Sequence, residues 1–135
     1  MALFAGLNYP AMLAAALAAF ALGAFWYSPV GFGTAWLKAL NKKPDELGPA
    51  GPAMVISLAG CVVAVVVLAV LFEVMGVATW WGGGLWGLGI GVGLVSTAMA
   101  SDHAFCGNSL PLFAIQAGYR VAYLTVMGLI LGAWQ

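Results

Sequence analysis

Residues 53–75 read AMVISLAGCVVAVVVLAVLFEVM, an apolar run whose one charged side chain, Glu73, stands close to its end. A helix that crosses the hydrocarbon core of a bilayer needs about 20 apolar residues, and this run is long enough. Three further runs of this kind extend over residues 9–27, 81–104 and 110–134. The sequence therefore predicts an all-α polytopic membrane protein, in which one domain over residues 1–135 has four transmembrane helices.

The overall composition excludes an ordinary soluble domain. Hydrophobic residues make up 64% of the chain and charged residues 6%, whereas a soluble protein is about one quarter charged. Four basic and four acidic side chains give a formal net charge of zero. Nucleic acid is excluded as a partner because no basic cluster is large enough to follow a phosphate backbone, and the lipid bilayer is the expected surrounding.

The ends of the four runs carry the expected helix signals. Every proline stands at an end of a run or between two runs, where proline is tolerated. Asn8 and Ser109 each precede a proline and are predicted N-caps. No basic residue precedes the first run, and that run is longer than a signal-peptide core, so we expect a retained helix.

The connection over residues 28–52 is the one long polar connection. Phe32, Trp36 and Leu40 recur there every four residues, which predicts a short interfacial helix between the first two spans. All three lysines of the chain lie in this connection, and lysines accumulate on the cytoplasmic side of membrane proteins. We therefore expect a multi-pass protein of the cell (inner) membrane, with residues 28–52 cytoplasmic and both termini outside.

The third run contains two rows of small residues at four-residue spacing. One row is Gly83, Gly87 and Gly91, and the other is Gly89, Gly93, Thr97 and Ser101. Small residues at this spacing let helix backbones approach closely in lipid. The rows predict close packing within one chain, and the alternative is a homo-oligomer formed through the third helix.

The stretch around the end of the first run resembles a known family signature. In LGAFWYSPVGFGTAWLKAL the matching positions are Trp26, Tyr27, Ser28, Pro29, Phe32, Gly33 and Trp36. The pattern, together with an alanine-glycine-tyrosine step at residues 117–119, resembles a family of small, mostly bacterial four-helix membrane proteins, domain of unknown function seventeen sixty-one. The resemblance implies the four-helix fold but no activity, and Arg120 and the heavy glycine run depart from the family pattern.

Arg120 is the strongest single indication of a site. It lies about ten residues into the fourth run, roughly 15 Å along a helix and near the middle of a bilayer. Arginine is costly there and usually faces protein or a wet cavity. It belongs to a polar face of i+3 and i+4 spacing, formed by Gln116, Tyr119, Arg120 and Tyr123. This face is expected to point into the bundle, as a binding or permeation site or as a polar network that fixes helix order.

The expected partner of Arg120 is Asp102. If the third helix continues past His103, Asp102 lies within about 10 Å of Arg120 in depth, whereas Glu73 is at the opposite end of its helix. Asp102, His103 and the polar face are therefore the candidate binding residues, and the site is expected between the third and fourth helices.

Catalytic chemistry has little support. Asp102 and His103 are adjacent and do not face the same way on a helix, so no relay is implied. One histidine and two separated cysteines lack the spacing of metal ligands, and Ser28 lacks a nucleophile turn. We expect no metal and no cofactor.

Three functions remain open. The first is a small oligomeric transporter or channel-like protein with its polar site on the fourth helix. The second is an accessory or scaffold subunit of a larger membrane complex. The third and least supported is an enzyme acting on a lipid or quinone through Asp102, His103 and Arg120.

Overall fold

The computed structural model describes residues 2–135, which form helices joined by short turns. The helices are α1 (Ala2–Ala5), α2 (Tyr9–Trp26), α3 (Gly33–Leu40), α4 (Ala50–Met75), α5 (Trp80–Phe105) and α6 (Leu110–Ala133), with a 3₁₀ turn at Pro44–Glu46. Four of them, α2, α4, α5 and α6, are long and apolar enough to cross a membrane. The predicted four-helix membrane fold, with a short helix between the first two spans, is confirmed.

The predicted caps are present at the starts of α2 and α6. The Asn8 side chain accepts a hydrogen bond from the backbone N–H of Ala11 at 3.1 Å, and Ser109 accepts one from Leu112 at 3.4 Å. Thr79 caps α5 in the same way through Gly82. These side chains satisfy N–H groups that the first turn of a helix leaves without partners.

The tightest contact in the molecule joins α5 to α6. A methyl group added at Gly83 would overlap the carbonyl group of Gly128, and one added at Gly87 would overlap the carbonyl of Leu124. Further along α5, Gly91 meets the backbone of Val121. The first row of small residues therefore packs within the chain, because only glycine lets these two backbones come so close.

The second row of small residues has no such neighbour. A methyl group added at Gly89 or Gly93 would meet nothing within 4 Å, and Thr97 and Ser101 are exposed. Around Gly93 the helix widens into a π-helical turn over Gly91–Ser96. The hydroxyl of Thr97 donates to the carbonyl oxygens of Gly93 and Leu94, which lie within this turn.

Three side-chain hydrogen bonds fasten α2 to α6, one near each end and one between them, where the Tyr119 hydroxyl donates to the carbonyl of Ala19 at 3.0 Å. Asn8 Nδ2 donates to the carbonyl of Trp134 at 2.8 Å, and Trp26 Nε1 donates to the carbonyl of Ile115 at 3.0 Å. We call the end of the bundle with Trp26, residues 28–49 and residues 106–109 the lysine side. We call the end with Asn8 and Trp134 the terminal side.

The helix α4 packs along only half of its length. On the terminal side its residues Cys61, Val65, Leu68 and Phe72 are buried. Every residue from 51 to 60 is exposed. The half of α4 toward the lysine side therefore stands away from the rest of the bundle.

Candidate functional site

A cavity of about 550 Å³ lies on the lysine side, where α4 leaves the bundle. Its walls come from the end of α2, the start of α4, Trp36 of α3, residues 47–49, and Tyr119 and Arg120 of α6. Ligand pockets in proteins typically measure about 300–1,000 Å³. The cavity is therefore large enough for a small organic molecule.

Arg120 is the one charged residue among those that line this cavity within the described part of the chain. Its side chain is exposed, whereas its neighbours on the polar face, Tyr119 and Tyr123, are buried. Successive residues of a helix are about 100° apart, so Arg120 turns away from the packed face that Tyr119 occupies. Arg120 therefore faces the open cavity between α2, α4 and α6 and is not enclosed in the packed core.

The position of Arg120 along the bundle follows from the two bonds that join α2 to α6 at their ends. Asn8 and Trp26 are 18 residues apart, and Ile115 and Trp134 are 19 apart. At 1.5 Å per residue each interval measures about 27–29 Å, close to one hydrocarbon thickness of about 30 Å. Arg120 lies five residues beyond Ile115, or about 7.5 Å inside that interval. Arg120 is thus nearer to the lysine-side end of this interval than to its middle, and the first turn of α6 extends past the end of α2.

The neighbours of the guanidinium are aromatic. Its central carbon lies 5.6 Å from the ring centroid of Tyr119 and 5.9 Å from that of Tyr123. Within residues 2–135 no side-chain hydrogen bond or ion pair joins Arg120 to Asp102, which is exposed on α5. Cation–π contacts contribute about 0.5–2 kcal/mol and leave the N–H donors of the guanidinium without acceptors. The prediction that Asp102 pairs with Arg120 is therefore wrong.

The remaining predicted residues lie outside the cavity lining. His103 is buried on α5 and packs edge-on against the ring of Phe113, with centroids 5.5 Å apart. Gln116 is half-buried on α6. The structure thus brings Tyr119 and Arg120 to the cavity and leaves Asp102, His103, Gln116 and Tyr123 away from it. The cavity is between α2, α4 and α6, and not between the third and fourth long helices as expected.

The family-signature residues build the lysine-side end of the cavity. A methyl group at Gly31 or Gly33 would overlap backbone carbonyls at the end of α2, so these glycines permit a tight turn. The turn brings Trp36 edge-on to Tyr27, with ring centroids 5.1 Å apart. Tyr27 in turn lies 5.5 Å from Tyr119. The sequence indicated a helix end here, and only the folded turn shows that Tyr27 and Trp36 line the cavity.

This aromatic wall carries two polar groups, the hydroxyl of Tyr27 and the Nε1 of Trp36. Burial raises the pKa of Tyr27, and Arg120 acts in the opposite direction. The phenol therefore stays protonated at neutral pH and can donate a hydrogen bond. The Nε1 atom of Trp36 is buried and has no hydrogen-bond partner in the described chain. Buried donors without an acceptor are rare in native proteins.

Residues 2–135 contain no cluster of metal-ligating side chains. No group of three or more His, Cys, Asp or Glu side chains lies close enough together to hold a metal ion. The two cysteines of the described chain are free, Cys61 buried and Cys106 exposed. The groups available at the cavity are one guanidinium, that of Arg120, and the aromatic wall beside it.

Comparison with known proteins gives one assignment. A family model described as protein of unknown function (DUF1761) matches residues 10–132. No curated protein and no solved structure matches the chain. The match extends over all four long helices and the turn that carries Trp26 to Trp36. The chain therefore belongs to the DUF1761 family of proteins of unknown function.

Proposed function

We propose that this protein is a small transporter-like membrane protein that binds a small anion with an apolar part in the cavity beside Arg120. The observation that carries the proposal is a cavity of about 550 Å³ with a single charged lining residue, whose guanidinium has aromatic neighbours and no carboxylate. An anion placed there satisfies the N–H donors of Arg120. An apolar group on the same ligand covers Phe20 and Met54 of the cavity wall.

Benzoate is a suitable first probe, since it joins one carboxylate to one apolar ring. We expect benzoate to bind the purified protein, measured by tryptophan fluorescence, and Arg120→Gln to weaken binding at least about tenfold. The reason is that a hydrogen bond to a charged group contributes about 1.5–3 kcal/mol, and 1.4 kcal/mol corresponds to a factor of ten. Arg120→Lys keeps the charge and should retain part of the affinity.

Two controls make this experiment decisive. Lys38→Gln removes an exposed charge outside the cavity and should leave binding unchanged. Benzyl alcohol has the same ring without the charge and should bind at least tenfold more weakly. Equal binding of benzoate and benzyl alcohol, or equal binding to the Arg120→Gln variant, refutes the proposal. Uptake of labelled benzoate into vesicles that contain the protein, compared with empty vesicles, tests transport directly.

The proposal places the lysine side in the cytoplasm and both termini outside. Cys106 tests this without any mutation, because it is exposed in the α5–α6 turn while Cys61 is buried. We expect a membrane-impermeant maleimide to label Cys106 in broken cells and not in intact cells. A Cys106→Ser variant controls for labelling at Cys61. Full labelling of Cys106 in intact cells shows the opposite orientation, with the lysine side outside.

An accessory subunit of a larger complex is the second candidate. The open faces at Gly89 and Gly93 and along residues 51–60 favour it, since other helices can pack there. The same faces suit a homo-oligomer. A different protein that co-purifies in fixed proportion after mild solubilisation distinguishes the accessory subunit from an independent transporter.

A further inference from the structure

The cavity beside Arg120 opens on the side of the bundle, between α2 and α4. Its end toward the lysine side is bounded by Trp36 and residues 47–49. Along its length, the α4 residues that line it, Ala53, Met54 and Ser57, are exposed, and so is Ala24 on the facing wall of α2. Because all of residues 51–60 are exposed, the gap between α2 and α4 is not closed by side chains. A ligand can therefore enter from beside the bundle, within the thickness that the helices span.

The cavity is shorter than one leaflet of a bilayer. Its lining extends from Phe20 to Tyr27 along α2 and from Ala50 to Ser57 along α4. At 1.5 Å per residue either interval is about 10 Å, shorter than the roughly 15 Å of one hydrocarbon leaflet. The cavity can hold a headgroup and the first part of an acyl chain, while the rest of the chain lies in the bilayer.

The polar groups are at the end where a headgroup belongs. Tyr27 and Trp36 lie by the lysine-side boundary, and Arg120 is only five residues along α6 from Ile115, which bonds Trp26 at that end. Phe20 lies two turns deeper along α2. The polar groups thus lie toward the lysine side and the apolar groups lie deeper. The headgroup and acyl chain of a lipid in the lysine-side leaflet have the same order.

Trp36 lines the cavity at its lysine-side end and is half-buried. Its Nε1 is fully buried and does not open to the cavity, so only the ring faces a ligand. The contact for an anionic headgroup is therefore Arg120, and Trp36 supplies an aromatic wall at the same end of the cavity.

We propose that the ligand of this cavity is an anionic lipid-like amphiphile, which enters between α2 and α4 from the lysine-side leaflet with its headgroup at Arg120, on the side of the cavity that Trp36 lines. This inference deepens the proposed function and rests on it, since both use the same cavity. The shared chemistry is an anionic group attached to an acyl chain, whether the molecule is a phospholipid or a fatty acid.

Quenching of Trp36 by brominated acyl chains tests the inference. The protein is placed in vesicles of zwitterionic phospholipid that contain a small, increasing fraction of a brominated lipid. The contribution of Trp36 is the difference between the natural protein and Trp36→Phe. We expect saturable quenching by a brominated anionic phospholipid or a brominated fatty acid, at a fraction about tenfold lower than that needed with a brominated zwitterionic lipid.

The variants used for benzoate binding complete the test. Arg120→Gln should abolish the saturable component, Arg120→Lys should keep part of it, and Lys38→Gln should leave it unchanged. An unaltered thermal unfolding midpoint shows that each variant is folded. Binding of the brominated fatty acid alone, or of the phospholipid alone, supports the inference and identifies the source of the headgroup.

Two outcomes overturn it. If the zwitterionic lipid quenches Trp36 at the same fraction as the anionic lipids, the cavity does not select an anionic headgroup. If benzoate binds through Arg120 and neither anionic amphiphile quenches Trp36, the ligand is a water-soluble anion. In that second case the proposed function stands and the lipid inference fails.

Discussion

Replacing Gly83 by alanine is expected to destabilise the helix bundle by about 3 kcal/mol, the upper end of what overpacking usually costs. The added methyl group would overlap the carbonyl of Gly128, and the facing Gly128 has no room either, since it meets the carbonyl of Gly83. Both obstacles are backbone atoms, so no side chain can move aside and α5 must separate from α6. The measurement is the thermal midpoint for loss of helical circular dichroism in detergent or in nanodiscs.

Gly89→Ala is the matched control on the same helix. A methyl group there meets nothing within 4 Å. Alanine favours a helix over glycine by about 0.8–1 kcal/mol, so this variant should be unchanged or slightly stabilised. The two substitutions are chemically identical, and only Gly83→Ala should lower the unfolding midpoint. Equal midpoints for the two variants contradict the close contact between α5 and α6.

Trp26→Ala is expected to have the second largest effect, a loss of about 3 kcal/mol. The indole of Trp26 donates to the carbonyl of Ile115 and packs on Phe32, with centroids 4.6 Å apart, and near Tyr119 at 6.3 Å. Removing a packed tryptophan typically costs about 3–5 kcal/mol, and the partial exposure of Trp26 places it at the lower end. The unfolding midpoint is again the measurement.

Trp86→Ala provides the comparison for Trp26. Trp86 is 49% exposed on α5. Truncation of an exposed side chain usually changes stability by less than about 0.5 kcal/mol. If Trp26→Ala and Trp86→Ala unfold at the same temperature, the bond between α2 and α6 at the lysine side does not hold the bundle together.

The sequence was sufficient to predict the long helices, because their signals are local. The length of an apolar run, a capping side chain such as Asn8 or Ser109, and the placement of prolines all act within a few residues of one another. The row of Gly83, Gly87 and Gly91 also indicated a close helix contact correctly. The π-helical turn at Gly91–Ser96 was not predicted, since its residues have the same apolar pattern as the α-helix on either side.

The candidate site was only partly predictable, because it depends on contacts between residues that are far apart in the sequence. A charge within an apolar run drew attention to Arg120, but its partner depends on which helices lie on either side of α6. The uniformly apolar sequence of α4 carries no mark of the point near Cys61 where packing ends. The sequence placed Tyr27 at the end of the first run and Trp36 in the interfacial helix. The turn that brings them together depends on contacts of Gly31 and Gly33 with the end of α2.

The two bonds at the ends of α2 and α6, from Asn8 and from Trp26, have a consequence for how the protein is made. Both acceptor carbonyls, those of Ile115 and Trp134, lie in or directly after the helix that is translated after the other long helices. Trp26 precedes Ile115 by 89 residues. At about 5–20 residues per second, the ribosome needs roughly 4 to 18 s to supply the partner of an already synthesised α2. During that interval the side chains of Asn8 and Trp26 have no native acceptor on α6, and the native contact between the two helices waits for α6.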